Sequence, residues 1–248
     1  MNAGRSRSLA EITMLGLIEL LAEAYGPRGW WPLPSRGDRQ GRNADGYLPS
    51  PSIVVGPGGD PEAVDARFEI AIGAILAQNT SWRGASKALD VLVLEELLDP
   101  VALSSCPEER LAALIHPAGT YARKAEYLKI LAHAWPLLDR AIPARSELLT
   151  LRGIGYETAD CILSYGFGVP RFVADAYSRR ILSRSGLVGW NDDYETVRLK
   201  AERALPADAA YLAEAHALLV EHAKRHCRAR PDCGTCPLEA YCPSSGNS

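Results

Sequence analysis

Between residues 8 and 25, Leu9, Ile12, Leu15, Leu17, Ile18, Leu20 and Leu21 stand mostly three or four positions apart with no proline among them. That period predicts a helix with one apolar face. The same spacing returns over 68–76, 82–98, 107–115, 121–138 and 157–165, and then over 176–185, 193–204 and 209–226, with short connectors between. No segment alternates apolar and polar residues as a half-buried strand does, so the pattern predicts an all-α protein. From Gly26 to about Ala66 the periodicity gives way to closely spaced glycine and proline. This predicts a long surface loop, an uncommon feature of a compact domain that points to function or mobility.

Composition narrows the class. A chain of 248 residues, 47% hydrophobic and 23% charged, is long enough to bury one large or two small cores. No apolar run reaches the roughly 18 residues that suggest a membrane span, since Glu19 and Glu23 interrupt the N-terminal helix. The start, Met-Asn-Ala-Gly-Arg-Ser-Arg, has no secretory pattern, so the protein is expected to be soluble and cytoplasmic. A net charge of −3 excludes a polybasic nucleic-acid coat while leaving room for a local basic face. Four of the six cysteines, Cys227, Cys233, Cys236 and Cys242, crowd into the last 22 residues. Without a secretion signal, that crowding suggests a metal or cluster site before disulfides.

Chemistry first enters at Leu151-Arg152-Gly153-Ile154-Gly155, just before the helix that begins near Glu157. Two glycines one residue apart allow a tight hairpin between helices, and backbone N–H groups at the next helix start can hold a phosphate. Such a turn is by itself more often a plain connector. About twenty residues on, Val173-Ala174-Asp175-Ala176-Tyr177 places one acid at a helix start, followed by Arg179 and Arg180. Taken together these runs resemble the helix-hairpin-helix and Gly/Pro/Asp signature of the endonuclease III superfamily of DNA glycosylases. The likeness extends to Ala74-Ile-Leu-Ala-Gln-Asn-Thr80 and the terminal cysteines, and so covers the chain from about Trp30 onward apart from the long loop.

The resemblance implies that Asp175, an ordinary helix cap if read alone, is the catalytic carboxylate. It implies that Gln78 fills the gap left by an extruded base, and that Gly153, Gly155, Arg179 and Arg180 meet DNA. For the cysteines, the intervals of five, two and five residues suit either a [4Fe–4S] cluster or tetrahedral zinc. The family favours the cluster, although its first interval is usually one residue longer. Around them, Lys224, Arg225, Arg228 and Arg230 form a local basic patch that suits either phosphate contacts or solubility.

Bifunctional members carry a Schiff-base lysine two residues after the second hairpin glycine, where this chain has Glu157. A carboxylate forms no imine, so the expected enzyme is monofunctional, and Glu157 itself reads as a helix-start acid favoured by the macrodipole. The run Trp30-Trp31-Pro32 together with Trp82 resembles the 3-methyladenine glycosylase branch, in which these aromatics sandwich the flipped base. Without that context, adjacent tryptophans are more often core. A π-rich slot also suits a cationic alkylpurine. Trp135, Trp190 and Phe68 are expected in the core, and the five histidines have no ligand spacing.

The expected architecture is two helical domains with a DNA groove and the hairpin between them. A helix within 1–32 packs on the C-terminal domain, 33–61 is the loop, 62–170 is a six-helix barrel ending in the hairpin, and 171–248 is the iron–sulfur domain. The expected activity is hydrolysis of the N-glycosidic bond of alkylated purines in damaged double-stranded DNA by a monomer that does not associate with membranes. An endonuclease III-type glycosylase and AP lyase on oxidised pyrimidines, or a silent DNA-binding relative, are the alternatives.

Overall fold

The computed structural model describes residues 11–28, 31, 33–35 and 61–245, apart from the side chains of 61–65. Every regular element among them is helical: α1 (Met14–Tyr25), α2 (Pro61–Leu76), α3 (Trp82–Leu94), α4 (Pro100–Ser105), α5 (Glu108–Leu114), α6 (Tyr121–Leu138), α7 (Arg145–Leu149), α8 (Tyr156–Cys161), α9 (Ala176–Arg184), α10 (Tyr194–Ala204) and α11 (Ala209–Arg225). A π-helical turn, Ile162–Gly166, prolongs α8. Most of the expected loop lies outside the described residues, but α2 starts at Pro61, several residues before the periodic pattern does.

Short polar side chains set the helix starts. Thr13, Ser81, Asp99, Asp193 and Asp208 each accept a bond from the backbone N–H three residues on, which satisfies a donor the helix leaves unpaired. The expected single helix over 82–98 instead stops at Leu94, because Glu96 takes φ +55° and breaks the ladder. The short helices α4 and α7 lie in stretches where no helix was expected.

Two hydrophobic cores result. One gathers Trp31 with buried faces of α2 to α8, including Ile72, Leu89, Leu128 and Trp135. The other joins α1 to α9, α10 and α11 through Leu17, Leu21, Phe172, Leu182 and Leu218. Helix α11 serves both, giving Ala213, Ala217 and Val220 to the first and Leu212, Leu218 and Leu219 to the second. Trp190, expected in the core, is 65% exposed.

A buried polar clasp links the halves. Arg145 on α7 donates two 2.8 Å bonds to the fully buried Asp160 on α8, whose carboxylate also accepts from the Tyr194 hydroxyl of α10 at 2.9 Å. Arg145 reaches on to Glu195. Charge-assisted, bidentate bonds of this kind fix orientation as well as distance, so the hairpin helices are held against the second core.

The iron–sulfur domain is corrected here. Cys227, Cys233, Cys236 and Cys242 line one cavity of about 30 Å³ and are all free thiols. Their sulfurs turn to protein partners: Cys227 Sγ accepts from Arg184 Nη1 at 3.3 Å, Cys242 Sγ donates to the Arg184 carbonyl at 3.3 Å, and Cys236 Sγ lies 3.7 Å from His222 Nε2. Among the described residues no group of three or more His, Cys, Asp or Glu is arranged to hold a metal ion. These residues therefore do not fit a [4Fe–4S] cluster or zinc, and the region is a cysteine-rich cap on the second core.

Candidate active site

The hairpin depends on its first glycine. Gly153 has φ +92°, and a Cβ there would lie 2.2 Å from the Tyr127 ring, so neither the backbone nor the space admits a side chain. Gly155 begins α8 in open space, with no atom near where its Cβ would be. Gln78 ties the end of α2 to this turn by donating to the Gly153 carbonyl at 2.8 Å and to Thr158 Oγ1 at 2.9 Å.

Beside the hairpin opens a pocket of about 160 Å³. Its aromatic wall is Trp31 and Trp82, packed edge to face with centroids 5.2 Å apart, and Tyr165 lies 5.3 Å from Trp31. Gly73 of α2 makes room for this wall, since a Cβ there would come within 3.0 Å of Trp31 Nε1. Trp31 is only 3% exposed, so it is at once core and pocket wall. Trp30 and Pro32 lie outside the described residues.

Asp175 lines the same pocket. It caps α9 by accepting from the Ser178 N–H at 2.7 Å, and its other oxygen lies 3.5 Å from Nε2 of buried His216. His216 Nδ1 is hydrogen-bonded to the Tyr165 hydroxyl. Burial alone would push the Asp175 carboxyl up, but the adjacent His216 and the bonds from Ser178 overcome that and hold it below the ordinary aspartate range. The pocket thus offers an ionised carboxylate, suited to stabilise positive charge developing on a sugar.

Four further residues line the pocket that the sequence reading did not place there: Glu157, His216, Val220 and Lys224. Glu157 reaches into the same pocket, where desolvation and then the Asp175 charge push its carboxyl up. On α11, His216, Val220 and Lys224 recur every four residues and present one stripe to the cavity, a helical period that the sequence did contain. Arg179 donates to the Asp192 carbonyl at 2.9 Å and Arg180 to the Cys227 carbonyl at 2.8 Å.

Together these helices set a glycine hairpin beside an acid-bearing aromatic pocket. The family described as "HhH-GPD superfamily base excision DNA repair protein" matches residues 72–207, more than half of the chain, spanning Gln78, the hairpin and Asp175. A putative DNA repair glycosylase of Methanocaldococcus jannaschii is 33% identical over 239 residues, 92% of this chain and 94% of that protein. The chain belongs to the HhH-GPD superfamily of base excision DNA repair proteins. Endonuclease III of Thermotoga maritima is 31% identical over 180 residues, 71% of this chain and 82% of that protein.

Among solved structures, a non-covalent endonuclease III–DNA complex shares the fold with a TM-score of 0.73 at 22% identity, over 95% of this chain and 98% of that one. A Helicobacter pylori 3-methyladenine DNA glycosylase aligns less fully, with a TM-score of 0.64 at 20% identity over 86% of this chain and 98% of that one. The expected assignment to the 3-methyladenine branch is therefore corrected: the relationship is to endonuclease III and does not single out that branch. No described helix is long and apolar enough to cross a membrane.

Proposed function

We propose that the chain is a DNA glycosylase of the endonuclease III type, releasing an oxidised pyrimidine from double-stranded DNA. The observation that carries this reading is that Asp175, its carboxyl held below the ordinary aspartate range, lines one pocket with Trp31 and Trp82 beside the hairpin. The endonuclease III relatives support the substrate class, and the pocket's size suits a single flipped base.

The duplex backbone lies on the hairpin, whose exposed N–H groups at Gly155 hold a phosphate. Gln78, already bonded to the hairpin, stands where the base leaves the stack. The base enters against Trp82 and Trp31, and Asp175 stabilises oxocarbenium character at C1′ while water adds. Position 157 offers no amine, so release by water leaves an abasic site without an imine there.

The test is single-turnover release of a base such as 5,6-dihydrothymine from duplex DNA, followed by chromatography. Asp175→Asn keeps the cap acceptor and removes the charge, so release falls roughly 10²-fold or more while folding and duplex binding persist. Near-normal release by that variant would reduce Asp175 to a helix cap.

A further inference from the structure

Three residues, Gln78, Glu157 and Thr158, line two cavities at once: the aromatic pocket and a cleft of about 450 Å³ along the hairpin, where Gly153 and Gly155 also lie. Glu157 is the second residue of α8 and so lies where the cleft along the hairpin and the aromatic pocket share a wall. Asp175 occupies the same pocket from α9. Two carboxyls thus share one site.

Their surroundings differ. The Asp175 carboxylate accepts from the Ser178 N–H and lies 3.5 Å from His216 Nε2, whereas Glu157 is desolvated and feels the charge of Asp175. The groups that face Glu157 are Asp175 and Arg179 of α9, His216 and Lys224 of α11, the Tyr194 hydroxyl of α10, and Cys161 at the end of its own helix. Tyr177 also borders the pocket.

The geometry points to Glu157 as the general acid of base release, placed to protonate the departing base, and so to substrates that are neutral bases. This rests on the reading of the chain as a base-releasing glycosylase. As the C1′–N bond breaks, its electron pair stays with the base. The Glu157 proton passes to a base oxygen or nitrogen, and the base leaves neutral. Water then adds its oxygen to C1′ and sheds one proton to solvent, from which Glu157 is reprotonated. A cationic base departs neutral without that proton and gains nothing from the acid.

The electrostatics agree, because desolvation and Asp175 favour the protonated form of Glu157 over the opposing pull of His216 and Arg179, while Asp175 is held ionised. Carboxyls pushed apart in this way divide into acid and stabiliser. A general acid contributes about 10²–10⁴-fold.

The experiment measures single-turnover release from two duplexes, one carrying 5,6-dihydrothymine and one carrying the cationic base 7-methylguanine, across pH, by the native protein, Glu157→Gln and Asp175→Asn. For the neutral base, Glu157→Gln should lose about 10²-fold or more and should lose the fall in rate as pH rises through the Glu157 pKa. For the cationic base, any enzymatic acceleration should change by no more than about threefold, while Asp175→Asn should impair both. Equal losses on both bases, or an unchanged alkaline limb in Glu157→Gln, would make Glu157 structural and overturn the assignment. Release abolished by Asp175→Asn yet untouched by Glu157→Gln would overturn the assignment alone. Failure of the native protein to release either base would sink the glycosylase reading and the assignment with it.

Discussion

The substitution Gly153→Ala isolates what the hairpin costs to build. The backbone at φ +92° is one that a residue with a Cβ resists by roughly 1–2 kcal/mol. The new methyl would sit 2.2, 2.3 and 2.6 Å from three ring atoms of Tyr127, a clash with the ring's near end that forces backbone or side chain to shift at about 1–3 kcal/mol. The expected loss is their sum, about 2–5 kcal/mol by urea unfolding. In a Tyr127→Ala background the clash vanishes and only the backbone strain of about 1–2 kcal/mol persists. The double-mutant cycle should therefore show a coupling of about 1–3 kcal/mol. Because the Gly153 carbonyl accepts from Gln78, the single variant should also bind duplex DNA more weakly, with partial recovery in the double variant. Additivity of the two substitutions within about 0.5 kcal/mol would refute the close approach as the reason for glycine.

Two stability predictions concern buried charges. Lys124 donates to the Leu76 and Ala118 carbonyls at 2.8 and 2.7 Å, and burial lowers its ammonium from 10.5 to about 8. Between these values the unfolded chain binds more protons than the folded one, so this lysine makes stability rise with pH, by an amount on the order of 3 kcal/mol in all. Comparing unfolding free energies at pH 7.5 and 10.5 should show a smaller rise in Lys124→Met than in the native protein, and identical slopes would count against the assignment. Asp160→Asn should cost roughly 3 kcal/mol in urea unfolding, at the low end for a broken buried pair because Arg145 keeps Glu195. A loss under about 1 kcal/mol would mean that the clasp contributes little beyond an exposed ion pair.

The helices were legible because each buries one face, and their spacing states which. What escaped was set by contacts across the sequence. Helix α7 has five residues, too few for a period, and is oriented by the Arg145–Asp160 pair instead. Helix α3 ends early through a single backbone angle at Glu96, a residue with no turn preference of its own. Trp31 defeats the choice between core and pocket, since it belongs to the first core and lines the cavity as well. For the cysteines, spacing suggested a cluster site, but spacing is silent on Arg184, whose side chain and carbonyl engage two of the sulfurs.

The same distinction explains why the superfamily was legible and the branch was not. Gly153, Gly155 and Asp175 owe their identities to local demands: a left-handed turn, a helix start in open space, and a cap whose carboxylate is also the charge at the site. Local demands leave local strings, and those strings are shared by proteins that act on different bases. The pocket that the proposed reading gives to the base is instead lined by Trp82 from α3, Glu157 from α8 and His216 from α11, which converge from segments up to 134 residues apart. A tryptophan pair near the N-terminus could suggest an aromatic slot, yet it carried no information about the two carboxyls that slot would face. In the reading proposed above, those carboxyls, which line one pocket with one pushed up and the other held down, would favour a base that must be protonated to leave over one that already carries its charge.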